Sequence, residues 1–214
     1  MKYHSKMLTI CFLLASMLIL SGCVAVKKQF ENPQEVQKTI QVELSQYKQS
    51  NFKQVEVTFF THRPKELVFR VLSNIDQTPQ WFKRVKSLEV LEVYNNQQYL
   101  LRTIINIPWP FKDRELITCV DTTFEDVVTK IDISSCSDRI PEDDQYLRLP
   151  QVESSWTIKK VTDSLVEVNY KTWLDPKGNI PAFIFNSELI DSTKTDFKKL
   201  KQIIEKASLD QFSY

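Results

Sequence analysis

The chain has 214 residues, 42% of them hydrophobic and 26% charged, with a formal net charge of +1. That is room for one domain, or one domain with an appendage, built on an ordinary core with a solvated surface. With two glycines (Gly22 and Gly178) and two histidines (His4 and His62), the chain has no glycine-rich phosphate loop and no Gly-x-Ser-x-Gly nucleophile elbow, and little for a histidine-based triad or metal site.

Lys2 and Lys6 precede an almost wholly apolar run from Met7 to Leu20, shorter than the ~20 residues of a spanning helix and flanked like a signal peptide. The run ends in Leu20-Ser21-Gly22-Cys23, which resembles a bacterial lipobox. The resemblance implies cleavage ahead of Cys23 and acylation of that residue. The competing reading is an ordinary signal peptide or short anchor with a coincidental cysteine. Acyl chains, at about 0.8 kcal/mol per buried CH₂, hold a protein durably on a bilayer. The implied location is the bacterial cell envelope, lipid-anchored on the periplasmic face. In a source with two membranes the outer one is favoured, because Val24 stands where an Asp retains many lipoproteins at the inner membrane. Loss of Lys2 and Lys6 leaves 26 basic against 27 acidic residues, a balance that does not suggest nucleic acid.

Residues 23–31 read as a polar tether and 32–209 as the folded domain. Asn32-Pro33 opens a predicted surface helix with Val36, Ile40, Leu44 and Tyr47 on one face. Val55, Val57 and Phe59 alternate along a first strand, 52–60. A short helix over 64–73 buries Leu67, Val68, Val71 and Leu72, and a second helical or turn segment over 75–82 carries Trp81 and Phe82. Six strands follow at 85–94, 98–107, 114–123, 127–135, 152–161 and 165–174, with short connections that make neighbours antiparallel. Inward stripes through Ile105, Val127, Ile131 and Ile133 are mostly apolar, which argues against a catalytic cavity. A turn at Glu125-Asp126 would set Cys119 opposite about residue 131, so two buried thiols are favoured over a Cys119–Cys136 bridge. The last element is a helix over 181–207, about 40 Å long, with Phe183, Asn186, Ile190, Thr193, Phe197, Leu200, Ile204 and Ala207 on one face. Seven strands of this length form one strongly curved sheet or a partial barrel whose concave side the helix fills.

This order resembles the α+β helix-grip fold, and three stretches resemble the START (StAR-related lipid-transfer) domains in particular. They are Trp109-Pro110-Phe111-Lys112-Asp113-Arg114-Glu115, then Tyr146-Leu147-Arg148 followed by Trp156, and Leu174-Asp175-Pro176-Lys177-Gly178-Asn179-Ile180-Pro181. Ser155 replaces the glycine usual before that tryptophan. The resemblance spans about residues 50–207. It implies a tunnel between sheet and helix holding one lipid or other hydrophobic molecule, with residues 137–145 beside its mouth. No cofactor and no metal are expected. The arginine–acid pair that meets a sterol hydroxyl in sterol-carrying members does not line up here. Relatives on the same fold include cyclases and aromatases, which form the enzymatic alternative.

Trp81, Trp156 and Phe183 are candidate tunnel-lining residues, as are Ile105 on its inward stripe and Ile190 on the closing helix. Trp109, between two prolines, either dips into lipid, walls the tunnel or plugs a corner of the core. Arg114 is either a head-group contact or, as favoured, part of a structural ion pair. Asn186 reads a ligand's polar end or, as favoured, bonds sheet backbone. Arg102 is expected on the solvent face. His62 reads as a surface loop residue, and Glu142-Asp143-Asp144 as a solvated loop rather than a calcium site. The expected partners are a hydrophobic ligand and, through acylated Cys23, a membrane.

Overall fold

The alternation of buried and less buried residues along Val55, Val57, Phe59 and Thr61 turns one side of a strand inward, and most of the chain repeats that device. The structure, a computed structural model, describes residues 39–108 and 110–212. Strands β1 (Gln41–Ser45) and β2 (Gln54–Thr61) lead to helix α1 (Lys65–Ser73), a 3₁₀ turn (Ile75–Gln77) and helix α2 (Thr78–Trp81). Then come β3 (Val85–Val93), β4 (Gln98–Ile105), β5 (Arg114–Phe124), β6 (Val128–Ser135), the two-residue β7 (Leu147–Arg148), β8 (Val152–Thr162) and β9 (Leu165–Leu174). Helix α3 (Ala182–Lys206) and a 3₁₀ turn (Leu209–Phe212) close the chain. Among the described residues no helix is long and apolar enough to cross a membrane.

The strands form one nine-stranded sheet in the order β1-β2-β9-β8-β6-β5-β4-β3, with β7 added parallel to β5. All other pairings are antiparallel. This is the helix-grip architecture, with two more strands than the seven expected. β7 is too short to leave a periodic signal. β1 replaces the C-terminal part of the expected surface helix, whose start at Asn32, Pro33 and Val36 lies outside the described residues. Ile40, Val42 and Leu44 alternate with polar residues and pack on the core, so period two prevails over the four-residue spacing of Ile40 and Leu44. The otherwise open edge of β2 gives β1 its hydrogen-bonding partner, from Gln41 opposite Thr58 to Ser45 opposite Gln54.

The main core joins Phe59, Ile158 and Val168 from the sheet, Val68 from α1, and Phe197, Leu200 and Ile204 from α3. Phe212 is also buried, so the packed unit runs past residue 209. In the β5–β6 hairpin Phe124 pairs with Thr129, which sets Cys119 opposite Ser134 rather than residue 131. That three-residue shift brings Cys136 to a Cα–Cα distance of 5.6 Å from Cys119, within bridging range, and the two form a disulfide. The expectation of free thiols rested on the wrong turn position. Val127 falls in this turn and is exposed, not inward-facing.

Candidate functional site

Between the inner face of the sheet and the N-terminal half of α3 lies a cavity of about 510 Å³. Its size falls in the range of about 300–1,000 Å³ typical of small-molecule pockets. Tyr99, Leu101, Thr103 and Ile105 line it from β4, and Leu116, Thr118 and Val120 from β5. Ile131 and Ile133 of β6, Trp156 of β8 and Tyr170 of β9 complete the sheet wall, while α3 contributes Ile184, Phe185, Leu189 and Thr193. Period two explains the sheet residues: every second side chain of β4 and β5 points inward. The inner end is aromatic. Phe197 stacks on Trp156 at 5.5 Å and lies 5.3 Å from Tyr170, and Trp81 meets Trp156 edge-on at 6.1 Å. The Trp81 indole N–H is buried without a hydrogen-bond partner.

The outer end is rimmed by Ile107, Pro108 and Phe111 of the β4–β5 corner and by Pro176, Ile180 and Ile184 ahead of and within α3. Phe111 and Ile184 are exposed. Arg84 ion-pairs with Glu188 across one side, tying the start of β3 to α3.

Arg114, 2% exposed, joins the two rim loops. Its Nε donates to the Pro176 carbonyl (3.1 Å), its Nη2 to the Lys177 carbonyl (3.3 Å), and its Nη1 to the Lys112 carbonyl. Burial pushes its guanidinium pKa down, and the charge of Asp113 acts the other way. The expected ion pair is replaced by three carbonyls. Asp113 instead accepts from the Ile107 N–H (3.1 Å) and from Lys86 (3.1 Å); partial burial opposes its ionisation, but these bonds prevail and hold its pKa below the usual range. Gly178 has φ +74°, a conformation that other residues rarely adopt, and a Cβ there would sit 3.5 Å from Arg114 Nη2. On the opposite face of the sheet, Glu115 lies between Arg102 (Nε, 2.6 Å) and Arg148 (Nε, 2.7 Å). Arg148 also donates to the carbonyls of Ser137, Ile140 and Pro141, at 2.7, 3.1 and 2.8 Å. Residues 137–145 are therefore held over the outer face and line no part of the cavity, against the expectation that they flank its mouth. Asp143 accepts from Arg102 and from the Gln145 N–H, so its carboxylate is engaged within the protein. Among the described residues no His, Cys, Asp or Glu cluster is arranged to hold a metal.

Of the expected ligand-contacting residues, Trp81, Ile105, Arg114 and Trp156 line the cavity. Trp109 and Cys23 lie outside the described residues. Phe183, Asn186 and Ile190 do not line it. Phe183 is 75% exposed. Asn186 binds backbone, accepting from the Lys53 N–H (2.9 Å) and donating to the Asn51 carbonyl (3.1 Å). The reason is helical phase. At about 100° per residue, Asp196, Leu189 and Phe185 lie about 40–80° to one side of Thr193 and face the cavity, whereas Ile190, Asn186 and Phe183 lie about 20–80° to the other side.

Sequence reasoning missed three polar features of the wall. Ser154 and Thr172 share a 2.5 Å hydroxyl hydrogen bond. Tyr170 beside them has its phenol pKa raised by burial. Asp196 lines the cavity while only 1% exposed, and its Oδ1 accepts from the Lys83 N–H at 3.2 Å. Burial raises its pKa against the opposing pull of that N–H and of Lys199, Lys83 and Arg84. Its position, three residues after Thr193 and four before Leu200, marked it as inward-facing.

No known sequence-family profile matches the chain. An uncharacterized protein of Pseudomonas aeruginosa is 28% identical over 104 residues, 48% of this chain and 51% of that protein, so the match spans about half of each. The solved structure of a STAR-related lipid transfer protein fragment from Xanthomonas axonopodis superposes with a TM-score of 0.69 at 18% identity, covering 78% of this chain and 94% of that one. Human StAR-related lipid transfer protein 5 gives 0.69 at 12% identity over 78% and 82%. The Zhui aromatase/cyclase of Streptomyces sp. R1128 gives 0.50 at 12% identity over 71% and 93%. The chain has the helix-grip fold of the START domains.

Proposed function

We propose that this protein is an envelope lipoprotein that binds a lipid or other hydrophobic molecule in the cavity under α3 and moves or stores it. The observation that carries the reading is the cavity itself: about 510 Å³ of space inside a domain of this size, walled mainly by aliphatic and aromatic side chains. Interiors are normally packed with few voids larger than a water molecule, so a space of this size and lining suits an apolar guest. The likeness to lipid transfer proteins supports the same reading. Acylation of Cys23, after a signal at residues 1–22 and ahead of a tether at 23–31, would anchor the domain to the membrane.

Native mass spectrometry of residues 24–214, followed by organic extraction, tests the carrier. A stoichiometric hydrophobic molecule is the expected result, and an empty protein that takes up no fluorescent lipid would sink the idea. Loss of labelled fatty acid in Cys23→Ser checks the anchor.

The enzymatic alternative draws on the likeness to the aromatase/cyclase and on the presence of Asp196 and Tyr170 in the wall. Turnover of an aromatic or polyketide substrate, abolished in Asp196→Asn, would establish it in place of the carrier.

A further inference from the structure

The charges on the cavity wall differ in what they already hold. Arg84 and Glu188 are paired with each other. Arg114 donates through Nε, Nη1 and Nη2 to the carbonyls of Pro176, Lys112 and Lys177. Asp196 is different: its one described hydrogen bond is the backbone N–H of Lys83, and it forms no ion pair among the described residues. A carboxylate has two oxygens and about four acceptor sites, so acceptor capacity remains at a buried position on the wall. Leaving that capacity unmet in an apolar surrounding is costly.

Asp196 also has a defined place. It immediately precedes Phe197, whose ring packs on Trp156, Tyr170 and Trp81 at the inner end. The rim at Ile107, Pro108, Phe111 and Ile184 lies a full helical stretch away, at the start of α3.

Resting on the carrier reading, we infer that Asp196 is the polar anchor of this cavity, accepting a hydrogen bond from the hydroxyl of an uncharged, single-headed amphiphile whose apolar body extends toward the rim. A phosphate or carboxylate head at the same spot would face a carboxyl and find the arginines of the wall already engaged, leaving only Lys83 and Lys199 to act in its favour. The cavity therefore selects long-chain alcohols over anionic lipids of equal apolar size.

The test holds the apolar part constant and changes the head. Hexadecanol, palmitate and hexadecyl phosphate are each used to displace Nile red from the full-length protein. Hexadecanol is expected to displace the dye at a concentration about tenfold or more below the two anions, the scale of one hydrogen bond to a charged group. Asp196→Leu should abolish that preference while still taking up Nile red, and Asp196→Asn, which keeps a carbonyl acceptor, should retain part of it. Nile red uptake with no head-group preference, or a preference unchanged in Asp196→Leu, overturns the anchor and leaves the carrier standing. Failure of the dye and of all three amphiphiles to bind overturns both.

Discussion

Glu115 and Asp196 are both almost wholly buried, and the protein surrounds them in opposite ways. Glu115 lies between two guanidinium groups, and one of them, Arg148, also collects three carbonyls of residues 137–141. Asp196 accepts one backbone hydrogen bond on the wall of a cavity. The difference separates two tasks. Around Glu115 and its neighbour Arg114, polar groups find their partners inside the protein and hold loops in place. Around Asp196 the capacity for partners is left over, as a binding surface requires.

The sharpest way to break the comparison is Glu115→Ala. It strands two arginines, one of them fully buried, and should cost about 3–5 kcal/mol of stability in chemical denaturation. A loss comparable to that of a surface substitution would mean that the corner is not held by this network. Next in size is the disulfide on the same outer face. Its 17-residue separation predicts a loss of about 3 kcal/mol for Cys119→Ser with Cys136→Ser, or on reduction of the wild type, read as a lowered melting temperature. The cavity wall should respond differently. Ile105→Ala removes side-chain volume that faces space rather than packed neighbours, so about 1 kcal/mol is expected, with weakened dye uptake as the larger effect. A stability loss as large as that of Glu115→Ala would show the wall to be packed core. The smallest effect is the dependence on pH. Because the folded protein raises the pKa of Asp196, its folded state holds the proton more tightly than its unfolded state. The contribution is therefore fully present below the unfolded value of about 3.9 and is lost as pH rises through the folded pKa. Asp196→Asn should flatten that part of the stability curve, and an identical curve in the variant would remove the residue from the account.

The corner was legible in the sequence and the cavity chemistry was not. Residues 109–115, 146–148 and 174–181 stood out as motifs, and the described parts of all three meet: β7 pairs with β5 at Arg114 and Glu115, and Arg114 reaches Pro176 and Lys177. Turns with proline, a positive-φ glycine and paired charges leave strong local signatures. Strands β8 and β9, long and alternating, were placed almost to the residue. Asp196 was passed over although its spacing from Thr193 and Leu200 put it on the inward side, because a single acid on a long helix looks like a solvated one. That phase followed the expected line at Phe197, Leu200 and Ile204 and departed from it ahead of Thr193, where the helix faces a cavity and the apolar signal weakens. β1 was misread because Ile40 and Leu44 satisfy both periods, and only the free edge of β2 decides between them.

The Arg114 clamp has a consequence for the order in which the chain assembles. Its carbonyl partners at Pro176 and Lys177 lie 62 and 63 residues further along, and the Arg148 partner of Glu115 lies 33 residues on. Contacts that close such long stretches of chain form late, because their entropic cost is met before they return any energy. Pairing of β2 with β9, from Val55 opposite Thr172 to Thr61 opposite Val166, closes a still longer stretch, so the clamp and the closure of the sheet are both late steps and the cavity wall is incomplete until they form. A protein that encloses an apolar guest would do so most easily before these contacts close, as part of folding rather than after it.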